Sequence, residues 1–249
     1  MGGITVRSRA ILEDTAEVIE TTVPRVQRMK TLTGRERERV IEKLEEASRN
    51  FRELAASVQN DNEELAEFFF KKAKELKNMS VDREIEREGK GKYLKLVDRI
   101  LIYSRSARYD FQPEAMKELK GVYRRYLFGM TLFFVLSGLY LNRFIAITAL
   151  ILAIPIILSM LALQRRGHLG LLLAYSAIPI PLITGAMAIQ YSLAALRDPA
   201  KIQEIASAIH KSTTFVHGYL LVLAILGATE IYLLVSAMIG LYKHRHAFL

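Results

Sequence analysis

Glu230 is the residue whose type and position most demand an explanation. It stands inside a long apolar run, eleven residues after Tyr219 and twelve before Tyr242. A charge at the bilayer centre costs about 2.5–3.5 kcal/mol on insertion scales, so carboxyls at that depth concentrate in ion pathways and proton relays. Two kinds of chemistry fit. Either the carboxyl carries a proton or a cation, or it stays protonated and hydrogen-bonds a neighbouring helix, with Gln190, Thr184 or Ser159 as partner. Glu230, Gln190 and Thr184 therefore form the candidate intramembrane polar set. Pro155, Pro179 and Pro181 add a second signal, because each removes an amide donor from an apolar stretch. Carbonyls freed at membrane depth need a neighbour, a water or a cavity. In transporters such breaks line the substrate site; in ordinary spans they are kinks.

Other chemistry is poorly provided for. The chain has no cysteine, which excludes disulfides, thiol catalysis and thiolate metal sites. His244-Arg245-His246 puts two imidazoles beside cations. His210 and His217 stand seven apart, two turns of one helix if a single helix contains both. Neither pair makes a convincing metal site, and no cofactor is implied. Glycine-rich phosphate loops, His-Glu-x-x-His and nucleophile elbows are all absent from the sequence. The expectation is a protein without catalytic residues, and not an enzyme.

The elements that hold these residues follow from composition. Residues 1–125 contain 27 Lys/Arg and 23 Asp/Glu; residues 126–249 contain 8 and 3. The long apolar runs lie almost wholly in the second half. Residues 126–163 are broken only by Asn142-Arg143, and 38 residues of helix would measure about 57 Å, nearly twice the hydrocarbon thickness. Two spans with a tight turn at Asn142 are expected there, and four in all: 126–141, 145–164, 169–196 and 219–242. Tyr126, Tyr140, Tyr191, Tyr219 and Tyr242 mark run ends, at the level where amphipathic rings are stabilised. Arg124-Arg125, Arg165-Arg166 and Lys243 with Arg245 fall on one side of this topology. The expectation is a multi-pass protein of the cell membrane with both termini cytoplasmic. On the other side, Asp198-Pro199 should start a short amphipathic surface helix extending to Phe215.

The charged half reads as helix throughout, since its apolar residues recur at three and four. Thr33-Gly34-Arg35-Glu36 is a capping-box pattern. Val40, Leu44, Ala47, Phe51, Leu54 and Val58 then form a heptad seam that requires a partner helix. Asn60-Asp61-Asn62 interrupts it, and an antiparallel second helix carries Leu65, Phe68, Phe69 and Leu76. An N-terminal helix that Pro24 kinks or ends should close the hairpin. Phe68, Phe69 and Phe70 cannot all share one buried face, so they are a candidate docking patch for a partner or a second copy. After Gly89, Lys92, Lys95 and Arg99 oppose an apolar face of Tyr93, Val97, Ile100 and Leu101. This is the pattern of a helix in the interface against anionic lipid headgroups, or of a fourth bundle helix with a basic outer face. Pro113 then starts a helix that should continue into the first span, to about Leu141.

The sequence thus predicts an all-α polytopic membrane protein with three parts. Residues 1–88 form a cytoplasmic helical, coiled-coil-like bundle. Residues 89–112 form a basic amphipathic linker helix, and residues 113–249 a four-helix transmembrane bundle. The net charge of +9 does not imply nucleic acid, because both signs mix along the helices and no aromatic-interleaved basic patch occurs. The expected partners are a bilayer with anionic headgroups and a protein, either another chain or a second copy. The leading functional expectation is a non-enzymatic membrane scaffold or assembly subunit acting through its cytoplasmic helices. The alternative is a small oligomeric ion-coupled transporter or channel centred on Glu230.

Overall fold

A computed structural model describes residues 7–139 and 143–248, with the backbone alone at 143–146. It is helical, with no strand among the described residues. Two compact units divide the chain, one ending at Lys117 and the other running from Glu118 to Phe248.

The N-terminal unit contains α1 (Arg7–Glu20), α2 (Val23–Arg28), α3 (Gly34–Ser57), α4 (Glu63–Met79), α5 (Asp82–Glu88), α6 (Lys90–Ser106) and α7 (Arg108–Phe111). Short polar side chains set the starts. The Asn62 side chain accepts from the Leu65 amide at the head of α4. Asp61 accepts from the amide (3.0 Å) and hydroxyl of Ser8, fixing the head of α1 beside that of α4. Pro24 does not end α1, which has already stopped at Glu20. It occupies the first turn of α2, where a missing amide donor costs nothing.

All six residues of the heptad seam are buried, Leu44 and Ala47 completely. Their partners are within the chain: α1 and α6 each pack against both α3 and α4. Side-chain contacts give the directions. Arg9 and Ser48 bond carbonyls that make α1 antiparallel to α3. The pairs Glu36–Lys90, Lys43–Asp98 and Glu46–Arg105 follow one another in step, so α3 and α6 run parallel. The expected α3–α4 hairpin is antiparallel but is not closed by direct helix packing. Those two helices meet through the rings of Phe51 and Phe69, 5.4 Å apart.

On α6, Tyr93, Val97 and Ile100 are buried in the protein core, with the Tyr93 hydroxyl 3.1 Å from that of Ser80. The apolar face of α6 is therefore packed against protein, as in the bundle-helix alternative, and its basic face stays exposed.

The second unit contains most of α8 (Pro113–Leu139), which crosses the division between the units, then α9 (Arg143–Gln164), α10 (His168–Ala177), α11 (Pro179–Leu196), α12 (Pro199–Ala208) and α13 (Thr213–Lys243). Among the described residues, three segments are long and apolar enough to cross a membrane: Ile147–Gln164, His168–Leu196 and Thr213–Lys243. α9 exposes Leu150, Ile151 and Ile154 in succession, the first by 75 %, a surface that water would penalise and lipid would not. The expected first span is shorter than these. From Tyr126 to Leu139 it offers about 21 Å of apolar helix against a core of about 30 Å. The turn expected at Asn142 and the run end at Tyr140 lie outside the described residues.

Two helix ends use a left-handed residue that is not glycine. Arg166 (φ 55°) and His210 (φ 53°) each close a helix, with the following amide reaching back to Ala162 and Ala206 respectively. α12 consequently ends at Ala208, well before Phe215, and His210 and His217 belong to different elements. The apolar face of α12 is not free to lie on a surface either. Ile202 and Ala206 pack against Ala195, Val216 and Leu220.

The α3–α6 ion pairs make acid stability a testable property of the N-terminal unit. Lys90, with the amide and hydroxyl of Thr33, holds the Glu36 carboxyl down at about 2, and Arg105 lowers that of Glu46. An unfolded glutamate titrates near about 4.3, so this stabilisation is complete above that value and is lost as pH falls towards the folded one. Amide exchange in the full chain should therefore show protection at residues 34–39 falling progressively between about pH 4.5 and pH 2. Glu36→Gln should flatten that dependence. Protection in the wild-type chain that stays constant to pH 2 would contradict the assignment.

Candidate functional site

The most extensive helix contact in the second unit, among the described residues, is that of α11 with α13. The face α11 presents is made of small residues at helical spacing: Thr184, Gly185, Ala188, Ser192 and Ala195, all buried. α13 answers with Leu220, Leu223, Gly227, Glu230 and Leu234. The backbones come so close that a Cβ on Gly227 would lie 2.7 Å from the Gly185 carbonyl oxygen. A Cβ on Gly185 would lie 2.9 Å from Glu230 Oε2 and 3.1 Å from the Gly227 carbonyl oxygen. Small side chains permit this approach, the usual means of bringing spanning helices together.

Glu230 is completely buried in this contact, one turn beyond Gly227. Neither of its carboxyl oxygens has a hydrogen-bond partner among the described residues. The donors named from the sequence do not supply one. Gln190 is exposed, because its position on α11 faces away from α13. Thr184 is on the correct face, but its hydroxyl donates to the Ile180 carbonyl at 3.2 Å, between the two proline-weakened turns. Ser159 lies on α9, where its hydroxyl bonds the Ile156 carbonyl and the Tyr126 hydroxyl, at 2.7 and 2.5 Å. The structure thus brings Thr184 to the same contact face as Glu230 and leaves Gln190 outside it.

Three residues of this site were missed from sequence. Gly185 and Gly227 form the close approach, and Ser192 is a buried hydroxyl that also lacks a partner among the described residues. The signal was present as small residues at 185, 188 and 192, three and four apart. The prolines interrupt one expected span and not two: Pro155 is inside a continuous α9, whereas Pro179 and Pro181 form the first turn of α11 just after α10 stops. The break at Ile178 leaves the carbonyls of Tyr175 and Ala177 without their helical donors.

The other two candidate groups behave differently. Phe69 is core, Phe68 is 39 % exposed and Phe70 is half-buried under the Lys74 ammonium, 4.1 Å from its ring. The triplet is therefore one core ring and two edge rings. Phe68 is braced edge-on by Tyr103 of α6 at 5.5 Å. Lys92, Lys95 and Arg99 are exposed on α6, with Lys92 paired to Glu88. Among the described residues no three His, Cys, Asp or Glu side chains gather as a metal site would require. His244 is 3 % exposed, with Nε2 3.5 Å from Glu118.

Comparison with protein-family models, curated proteins and solved structures finds no match. The functional reading therefore rests on the site alone.

The contact carries its own prediction. Gly227→Ala sets a methyl against backbone that cannot rotate away, and overpacking of this kind costs about 1–3 kcal/mol. The purified variant should melt below the wild type in the same detergent. Equal melting temperatures would show that the helices are not this close.

Proposed function

We propose that this protein is a small, non-enzymatic, ion-coupled membrane transporter or channel subunit whose coupling group is Glu230. One observation carries the reading: a fully buried carboxyl, deep in an apolar helix, with no hydrogen-bond partner among the described residues. A structural glutamate at that depth is stabilised by a donor on the next helix, and the donors expected for it are bonded elsewhere or face away. A carboxyl that takes up and releases a proton or a cation instead needs a site that is incomplete without the ion. The proline break between α10 and α11 supports the same reading, since carbonyls freed at Tyr175 and Ala177 are oxygen ligands of the kind that line ion sites.

In this reading α8, α9, the α10–α11 pair and α13 form a four-helix bundle in the cell membrane, with both termini cytoplasmic. Contacts of α8 with α9 (Tyr126–Ser159) and with α13 (Arg125–Ser236) support it. So does the clustering of Arg124, Arg125, Arg165, Arg166 and Lys243 on one predicted side.

A scaffold function is the second reading, and a specific observation favours it. The N-terminal unit is a closed helical fold, yet Phe68 and Ile102 remain exposed on α4 and α6. The heptad seam no longer supports partner binding, because it is buried within the unit. A docking partner would engage Phe68 and Ile102, and Phe68→Ser with Ile102→Ser should remove it while the variant still unfolds cooperatively, below the wild type because the Phe68–Tyr103 contact is lost.

The test of the main proposal is reconstitution of the full chain in liposomes containing a pH-sensitive dye, under proton, sodium or potassium gradients. Wild-type protein should dissipate at least one gradient. Glu230→Gln, which keeps shape and removes the charge, should abolish that flux while melting normally. Equal flux through both proteins, or none through either, would overturn the proposal.

A further inference from the structure

A cleft of about 630 Å³ opens between α8 and α13, on a face of α13 other than the one that meets α11. Its mouth holds Arg125, Ser236 and Lys243; its walls include Tyr232, Val235 and Ile239. Arg125 is fixed in place, donating to the Ser236 hydroxyl at 2.5 Å and to the Gly121 carbonyl at 3.3 Å. A guanidinium has five N–H groups, so these two bonds orient it and leave donors for an anion. Lys243 lines the same cleft about two turns further along α13, 3.2 Å from the exposed Glu118, a pair that solvent screens strongly.

The depth of the cleft is informative. Tyr232 and Lys243 are eleven residues apart on one straight helix, about 16 Å along the axis. That is about half the hydrocarbon thickness, the depth of one leaflet's acyl chains. Arg125 is the residue immediately before the apolar run, and Lys243 the last of α13, so the mouth lies at headgroup level. Tyr232 and Ile239, 70 % and 63 % exposed, leave the wall open to the surrounding lipid. Another apolar helix would cover the walls but would supply no counter-charge to Arg125, since Glu118 already faces Lys243.

We propose that this cleft is a specific binding site for one anionic phospholipid, its phosphate on Arg125 and Lys243 and an acyl chain along Val235 and Ile239. The site rests on the membrane-spanning reading of this unit and is independent of ion coupling at Glu230. It differs from general surface attraction because a part-buried hydrogen bond orients the guanidinium and the chain has a groove to fill.

The experiment is native mass spectrometry of the full chain in detergent, titrated with phosphatidylglycerol or with phosphatidylcholine of identical chains. Phosphatidylglycerol should be retained in preference, as a single adduct. Arg125→Gln with Lys243→Gln should weaken it about thirtyfold, the loss of two basic contacts near an anionic surface. Ile239→Trp, which keeps both cations and fills the groove, should also weaken it, and this variant decides the matter if the charge variant does not fold. Retention by both variants overturns the site. So does equal loss from Lys92→Gln with Lys95→Gln and Arg99→Gln, displacement of the adduct by inorganic phosphate, or a lipid-insensitive dimer that buries the cleft. Release of the protein from membranes by alkaline carbonate would instead mean that the spanning reading itself had failed.

Discussion

Where α11 passes α13, neither Gly185 nor Gly227 has room for a side chain, and the geometry of this unit's polar interior follows from that. With the two backbones in contact, the next turn of α13 places Glu230 directly against α11. A larger residue at either glycine would hold the helices apart and admit lipid, or a polar neighbour, to the carboxyl. Small residues at 188 and 192 continue the same face, so the approach is sustained over several turns and is not a single point. Lipid tails offer no hydrophobic advantage for helix association, and close van der Waals packing must supply it instead. The cost of burying Glu230 is therefore borne by a contact whose tightness the carboxyl itself opposes.

The N-terminal unit solves a different problem by different means. There, the apolar seam of α3 is covered by α1 and α6 from the same chain. Charges that water would otherwise solvate are arranged in register along the α3–α6 contact, from Glu36–Lys90 to Glu46–Arg105. Exposed pairs of this kind contribute little singly, but they fix the direction and register of two helices that hydrophobic packing alone leaves free to slide.

Much of this was legible in the sequence, and what was not has physical reasons. Periodicity identified the helices of the charged half, and the seam residues from Val40 to Val58 are all core. The seam did not say which helix covers it, because heptad spacing specifies a partner face and not a partner's identity. The same ambiguity affected α6: Tyr93, Val97 and Ile100 form an apolar stripe that suits either lipid or a bundle. Capping signals worked where they were local, as at Thr33 and Asp198, and misled where the chain used His210 in a left-handed turn that glycine usually occupies. At the candidate site, Glu230 was conspicuous as an acid in an apolar run. Its surroundings were not, because whether Gln190 or Gly185 faces α13 depends on a rotation of α11 that nearly uniform apolar sequence does not encode.

The central claim is that Glu230 exchanges a proton or a cation and does not serve as a fixed structural group. Infrared difference spectroscopy on the full chain in nanodiscs, with carbon-13-labelled glutamate, tests it most directly. A jump in pH or in sodium or potassium concentration should produce a glutamate carboxyl band that is absent from the Glu230→Gln variant. A spectrum in which wild type and variant respond identically to every jump would contradict the account, and would make Glu230 a static component of the α11–α13 contact.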